Sequence, residues 1–396
     1  MTTRSTATYL FLFFIFIGLS SCSKKKSQGP GEPGPPATQK DIASVDNALT
    51  SFMTTYNMPG ASLAISKNGK LVYAKGYGFA DKEANEAVTT RHRFRLASLS
   101  KTYTGAAIMK LVQEGKLTLD TKVFGTGAIL GTEYGNGTYN TNVSNIKVRD
   151  LLQNTTGSWG ANTGGDVIDQ NAAYTNTQLL NWILTTRSNP KAPGTFYDYS
   201  NVGFFIAGRV IEKISGKSYI NYIKQDLLPA TGATETDIAA KTLAERKTNE
   251  VKYYGQGTES SYPYVIAFPR RDADGGLIAS ASDVLKLITS IDGFNTRADI
   301  LNNASVTAMT TPPSFSTYAQ GIAIWKEQNL WFNYGSLPGT RTGFMKHNTD
   351  GMCVALLFNS RPPAGASENV FAGAMQNLML NFLNGNHNWQ ENLDQF

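Results

Sequence analysis

Ser98-Leu99-Ser100-Lys101 sets a hydroxyl and an amine three residues apart, where an extended segment turns into a helical pattern. Residues i and i+3 share one face of a helix, so the Lys101 amine reaches the Ser98 oxygen. A serine is a weak nucleophile until a neighbouring base takes its proton. The pair predicts a serine hydrolase that works without histidine. Spacing alone does not carry this, because Ser21, Ser23, Ser144 and Ser188 head the same pattern. Ser21 and Ser23 precede the globular part, and Ser188 runs into Asn189-Pro190, which ends a helix. Ser144 leads into Asn145-Ile146-Lys147-Val148, read as a strand, where i and i+3 face opposite ways. Only Ser98 opens a helix, whose N-terminal dipole favours developing negative charge. The competing reading is a serine that merely caps that helix.

The second candidate is Tyr199-Ser200-Asn201, which follows Pro193-Gly194-Thr195-Phe196-Tyr197-Asp198 and directly precedes a helical run. Tyr134, Tyr174 and Tyr219 head the same Tyr-x-Asn spacing, the first two in polar loop-like stretches and the third inside a helical pattern. Only Tyr199 puts a phenol on a turn, where functional groups concentrate. A phenol beside an ammonium can act as a general base; the plain alternative is a ring that packs and caps a loop. The chain has three histidines, His92, His347 and His387, scattered along it. That leaves few partners for a Ser-His-Asp triad, and no Gly-x-Ser-x-Gly elbow is present. Nor is there an HExxH or CxxC spacing, so no metal site and no cofactor are expected.

Several elements must position these residues. Apolar residues at Ile42, Val45, Leu49, Phe52 and Met53 predict a helix over 42–57. Ala61–Ser66 and Lys70–Gly78 flank Asn68-Gly69, a strong hairpin signal. Ser98–Gln113 reads as a helix stopped at Gly115, and Asn201–Ser215 as another stopped at Gly216. Near the C-terminus, Gly321–Trp325, Asn329–Tyr334, Arg341–His347 and Met352–Asn359 read as four strands, and Ala366–Leu383 as a closing helix. The expected fold is α+β: one antiparallel sheet built from both chain ends and flanked by helices, with a mainly helical insertion at about 115–310.

The first residues read as targeting rather than fold. Tyr9–Leu19 is an apolar run too short to span a bilayer and fits a signal-peptide core. Leu19-Ser20-Ser21-Cys22 resembles a bacterial lipobox, which makes residues 1–21 a lipoprotein signal peptide and Cys22 the lipidated residue. Residues 22–40 then form a Gly/Pro/Lys tether, and 41–396 the folded domain. The expectation is a bacterial cell-envelope protein anchored in a lipid bilayer. The formal net charge is +6, but five of the Lys+Arg and one of the Asp+Glu lie in residues 1–40, which leaves +2 for the domain. Nothing in that balance calls for nucleic acid. Cys353, in an apolar strand-like run, reads as a core thiol.

Two stretches, Phe94-Arg95-Leu96-Ala97-Ser98-Leu99-Ser100-Lys101 and Phe196-Tyr197-Asp198-Tyr199-Ser200-Asn201-Val202-Gly203-Phe204, resemble the serine β-lactamase and penicillin-binding protein superfamily. The likeness is closest to the branch of class C β-lactamases, DD-peptidases and related esterases. Val148–Gly157 is similar to that branch's Leu-Leu-x-His-Thr-Ser-Gly segment, with Asn154 where histidine is usual. Gly275-Gly276-Leu277 resembles a further helix-start motif. The resemblance implies Ser98 as the acylated nucleophile, Lys101 as its activator and Tyr199 as general base and acid. It implies Asn201 as a ligand of the substrate amide, and an oxyanion hole from the N–H groups of Ser98 and Ser336. The third motif matches Asn333-Tyr334-Gly335-Ser336, with Asn333 where the branch usually has lysine, histidine or tryptophan. Asn333, Gly335 and Ser336 are the implied substrate-binding residues. A neutral amide brings no cation to meet a substrate carboxylate, so ester or D-amino-acid peptide hydrolysis ranks above efficient β-lactam hydrolysis. The substrate is a small-molecule or peptide acyl compound. The alternative reading is a weak or inactive penicillin-binding-like module that holds cell-wall or acyl ligands.

Overall fold

Asn68 and Gly69 both take positive φ, 52° and 71°, the backbone a two-residue hairpin turn requires. They join strand β1 (Gly60–Lys67) to β2 (Lys70–Asp81). The computed structural model describes residues 39–161, 167–260 and 262–396. The expected signal segment, Cys22 and the tether up to residue 38 lie outside the described residues.

A short β3 (Glu86–Ala87) continues from β2, and β4 (Phe94–Arg95), β5 (Asp237–Ile238) and β6 (Leu277–Ala279) make a small separate sheet in the order β4-β6-β5. The C-terminal strands are β7 (Ala323–Trp325), β8 (Leu330–Leu337), β9 (Thr340–His347) and β10 (Cys353–Phe358). The main sheet has seven strands in the order β3-β2-β1-β10-β9-β8-β7. Its neighbours all pair antiparallel, and β1 from the start of the domain lies against β10 from its end, Ile65 opposite Val354. The α+β expectation holds.

Side chains alternate across the sheet with period two. Leu63, Ile65, Val354 and Leu356 pack under helix α1 (Ala43–Thr55) with Val45, Leu49, Phe371 and Met375, while Ala64, Ala355 and Leu357 face a second core with the other helices. Both faces are covered, which is why β1 and β10 read as continuous apolar runs.

Between the sheet-forming ends come α2 (Ser100–Gln113), α3 (Thr141–Ser144), α4 (Val148–Leu152), α5 (Asn176–Thr186), α6 (Asn201–Ser215), α7 (Tyr219–Tyr222), α8 (Ala281–Ile288) and α9 (Asn303–Thr310), and α10 (Ala366–Asn384) closes the chain. Helix α6 starts where the Ser200 hydroxyl accepts the Gly203 N–H at 3.1 Å and stops at Gly216, φ +70°. Gly203 also lets α6 meet α4: a Cβ there would sit 2.9 Å from the Leu151 carbonyl oxygen.

One local expectation is corrected. Ser144 is the last residue of a short helix, not the start of a strand. The Asn140 side chain accepts the Val143 N–H at 2.9 Å, and that cap outweighs the extended preference of the apolar residues after it. Helix α10 buries Phe371, Met375, Met379 and Phe382 and leaves Val370 65% exposed.

Candidate active site

Ser98 sits in a single 3-10 turn, Ala97–Leu99, between β4 and α2. Ala97 is buried with φ +49°, a left-handed conformation that costs an alanine roughly 1–2 kcal/mol. Strain of this kind persists only where the surroundings impose it. The Thr340 and Thr342 hydroxyls of β9 donate to the carbonyls of Arg95 and Leu96 at 2.8 and 2.7 Å. On β8, a Cβ on Gly335 would fall 1.9 Å from the Leu96 carbonyl oxygen. The backbones approach this closely only because position 335 lacks a side chain. Arg95 anchors the turn from behind, its guanidinium 3.9 Å from the Tyr253 ring centroid and 4.0 Å from that of Phe268.

The structure brings Ser98, Lys101, Tyr199 and Asn201 together. Lys101 is fully buried. Its Nζ donates to Ser98 Oγ at 3.1 Å, to Asn201 Oδ1 at 2.5 Å and to the Asp274 carbonyl at 2.8 Å. Tyr199 Oη donates to Ser98 Oγ at 2.5 Å. The Lys101 Nζ lies 4.9 Å from the Tyr199 ring centroid and 5.5 Å from that of Phe204. A buried ammonium is tolerable only when its donors are satisfied; here a hydroxyl, an amide oxygen and a carbonyl satisfy them. Ser98 Oγ thus lies between an amine and a phenol, the geometry a proton shuttle needs.

Two supports of this arrangement carry no signal of their own in the spacing. The first is Asn154, fully buried, whose Oδ1 accepts the Ser200 N–H at 3.0 Å. Its carbonyl accepts the Asp198 N–H at 2.8 Å. The Ser200 hydroxyl donates to the Trp159 carbonyl at 2.9 Å, and the Ala161 N–H to the Tyr199 carbonyl at 2.8 Å. Residues 154–161 therefore hold the Tyr199 loop from one side. The second is Asp274, whose carboxylate accepts from Arg271 at 2.8 Å while its carbonyl faces Lys101. Gly276 and Leu277 follow directly, and the Leu277 N–H donates to Ser100 Oγ at 3.2 Å. The Gly-Gly-Leu stretch thus backs the Lys101 helix.

Asn333, on β8, turns its amide inward. Its Nδ2 donates to Thr102 Oγ1 at 3.0 Å and to the Gly321 carbonyl at 3.1 Å, with the Ser98 carbonyl at 3.4 Å. Gly335 and Ser336 follow on the same strand. Ser336 Oγ donates to Glu368 at 2.9 Å and accepts from Arg361 at 2.9 Å. Arg341 is engaged by Glu368. Lys346 lies at the far end of β9, 3.9 Å from Asp292.

Beside Asn333 opens a cavity of about 790 Å³ walled by Tyr197, Phe315, Tyr318, Phe332 and Tyr334. Burial pushes the phenols of Tyr197 and Tyr318 above the ordinary tyrosine range, so both stay protonated at neutral pH. Among the described residues, no group of three or more His, Cys, Asp or Glu side chains is placed to hold a metal ion.

The profile of the family described as Beta-lactamase matches residues 45–374. Protein flp of Staphylococcus aureus strain N315 is 28% identical over 325 residues, which cover 80% of this chain and 62% of flp. The chain thus spans less than two thirds of that relative's length. Among solved structures, the octameric penicillin-binding protein homologue from Pyrococcus abyssi superposes with TM-score 0.67 at 25% identity, over 86% of this chain and 78% of that one. A D-amino acid amidase from Ochrobactrum anthropi SV3, complexed with D-phenylalanine, superposes with TM-score 0.68 at 19% identity, over 86% of this chain and 99% of the amidase. The second likeness is one of fold.

Proposed function

The chain belongs to the Beta-lactamase family, and from that premise we propose that it is a serine hydrolase working through a Ser98 acyl-enzyme. The observation that carries the proposal is Ser98 Oγ held 3.1 Å from Lys101 Nζ and 2.5 Å from Tyr199 Oη.

Once Tyr199 has given its phenolic proton to solvent, Ser98 Oγ adds to the substrate carbonyl carbon and its own proton passes to the Tyr199 phenolate oxygen. The Lys101 ammonium supports that phenolate across the ring face. The oxyanion is met by the N–H groups of Ser98 and Ser336, each donor worth about 3–4 kcal/mol of transition-state stabilisation. Collapse breaks the bond to the leaving group, which takes the proton from Tyr199. Water then adds to the acyl-serine by the same proton route and releases the acid. Asn201 orients the substrate amide.

The substrate reading is an ester or a D-amino-acid amide or peptide, ahead of a β-lactam, in the branch that includes class C β-lactamases. It rests on Asn333, whose amide supplies no positive charge. For location, the Leu19-Ser20-Ser21-Cys22 stretch supports a lipidated Cys22 and an envelope protein tethered to a membrane.

Labelling with a fluorophosphonate and with a fluorescent penicillin tests the chemistry. Wild type is expected to label with the first and weakly with the second, and Ser98→Ala with neither. Labelling that survives Ser98→Ala removes Ser98 from the mechanism.

A further inference from the structure

We propose that Glu368 and Arg361 are positioning residues, which grip the Ser336 hydroxyl from two sides and thereby aim the Ser336 N–H at the substrate oxyanion. This rests on the acyl-enzyme reading and deepens it.

Alternate residue pairs of an antiparallel ladder exchange main-chain hydrogen bonds. Leu337 and Thr340 flank the Pro338-Gly339 turn and form one such pair; Ser336, opposite Arg341, comes next and turns its N–H away from β9. Strand β7 covers that outer edge of β8 only from Leu330 to Phe332. Beyond Phe332 the strand runs beside the turn that carries Ser98, whose carbonyl lies 3.4 Å from Asn333 Nδ2. The oxyanion donor thus stands at an edge that β7 leaves uncovered, two residues before Pro338.

Side chains alternate along a strand. Asn333 and Gly335 face the Ser98 turn, and Ser336 faces α10. There its Oγ donates to Glu368 Oε1 at 2.9 Å and accepts from Arg361 Nη1 at 2.9 Å. Both partners are themselves held. Glu368 Oε1 also accepts from Arg341 Nη1, and Arg361 Nη2 meets the two oxygens of Glu259 at 2.8 and 3.0 Å. Arg341 and Arg361 are buried, and Glu368 and Glu259 nearly so. Cation and carboxylate therefore alternate along a row that has the Ser336 hydroxyl at its middle. The row ties β8 to β9, to α10 and to the segment after β10.

Hydrogen bonds to ionised groups are shorter and roughly twice as strong as neutral ones. A hydroxyl that gives one such bond and receives another is fixed in two directions, and its Cβ and peptide plane follow. Buried ion pairs are a poor source of net stability, because apolar side chains of the same shape serve as well. What this row supplies is direction. One oxyanion donor is worth a factor of about 100–1,000 in kcat when it is well aimed, and a displacement of about 1 Å forfeits much of that. Glu368 and Arg361 act through Ser336 and need not touch the substrate.

The test uses the full chain with p-nitrophenyl acetate as substrate, phenylboronic acid as an inhibitor whose tetrahedral adduct mimics the oxyanion, and a fluorophosphonate as label. Ser336→Ala keeps the N–H and removes the grip. It is expected to lower kcat about tenfold and to weaken boronic acid inhibition by the same factor. KM should stay within about twofold, because the donor serves acylation and deacylation alike. Ser336→Thr keeps the hydroxyl and should stay within about threefold of wild type in kcat. Glu368→Gln and Arg361→Met should each act as Ser336→Ala does, and Glu368→Gln added to Ser336→Ala should cost nothing further. A general loosening of the fold would not vanish in that background. Wild-type kcat and inhibition in Ser336→Ala, or multiplicative losses in the double variant, overturn the positioning role while Ser98 still labels. A wild-type chain that neither labels nor turns over the ester overturns the acyl-enzyme reading and the grip with it.

Discussion

Asn154 binds Ser200: its side-chain oxygen accepts the Ser200 N–H at 3.0 Å, while its own carbonyl accepts the Asp198 N–H. One residue therefore clamps the chain on both sides of Tyr199. Asn154 holds φ +57°, which asparagine adopts more readily than most residues. Two substitutions separate the side-chain half of the clamp from the backbone conformation. Asn154→Gly removes the bond to the Ser200 N–H and keeps the conformation; Asn154→Ala removes that bond and disfavours the conformation. Each is expected to slow fluorophosphonate acylation about tenfold. Urea unfolding should find the alanine variant about 1 kcal/mol less stable than the glycine variant. A glycine variant that acylates at the wild-type rate would show that the loop does not need the side-chain bond to Ser200.

Lys101→Met keeps the buried stem and removes the charge. Acylation is expected to fall at least about a hundredfold, and stability by about 1–3 kcal/mol, because Asn201 Oδ1 and the Asp274 carbonyl lose a donor. Tyr199→Phe removes the 2.5 Å contact to Ser98 and keeps the ring. It should slow acylation by a similar factor with little loss of stability. The double variant should be scarcely slower than either single one, as expected of groups that act as a unit. Fully multiplicative losses in stopped-flow labelling would separate the two roles.

Asn333→Lys tests the missing cation. The Thr102 hydroxyl and the Ser98 and Gly321 carbonyls that now receive the asparagine amide can equally receive an ammonium. Acylation by a fluorescent penicillin is expected to rise about tenfold, from the charge added near the substrate carboxylate, while a neutral ester gains nothing. An unchanged penicillin rate with intact ester turnover would mean that carboxylate recognition lies elsewhere.

A pH effect is expected far from the site. Burial raises the Asp292 carboxyl to about 6, despite the opposing Lys346 charge. Burial lowers Lys346 in turn. The native protein therefore takes up a proton at Asp292 before the unfolded chain does. Its share of stability grows as pH falls from about 6 to about 4, by about 3 kcal/mol in all. Asp292→Asn, neutral at every pH as the protonated carboxyl is, should flatten that slope and raise stability near neutrality. The Asp292→Asn, Lys346→Met double variant should be at least as stable as wild type. Denaturant titrations between pH 4 and 8 read all three, and an unchanged slope in Asp292→Asn would assign the effect to other groups.

Local signals in the chain placed much of the framework. The Asn68-Gly69 turn, the stop at Gly216 and the alternation that buries β1 and β10 depend on neighbours within a few residues, where propensity and periodicity act. Ser144 misled because a single capping asparagine, Asn140, decided between helix and strand. In the site, Ser98 and Lys101 share a helix face, so their contact is local. Asp274 was invisible for a different reason: it meets Lys101 through a main-chain carbonyl, and no residue type announces that. Asn154 stood out as a departure from a motif, but its task depends on a loop more than 40 residues away in the chain. Pairings that span such distances are set by tertiary packing, which no sequence window contains.

The pairing of β1 with β10 has a consequence for synthesis. Ile65 leaves the ribosome about 290 residues before its partner Val354, a wait of roughly 15–60 s at ordinary elongation rates. Over that interval the N-terminal hairpin has a bare edge, and the turn carrying Ser98 lacks β8 and β9, which brace it. Contacts so distant in sequence also slow folding itself. Ser98 therefore becomes reactive only once β8 and β9 have been made, so a truncated chain that ends before β8 should be silent toward any acylating probe.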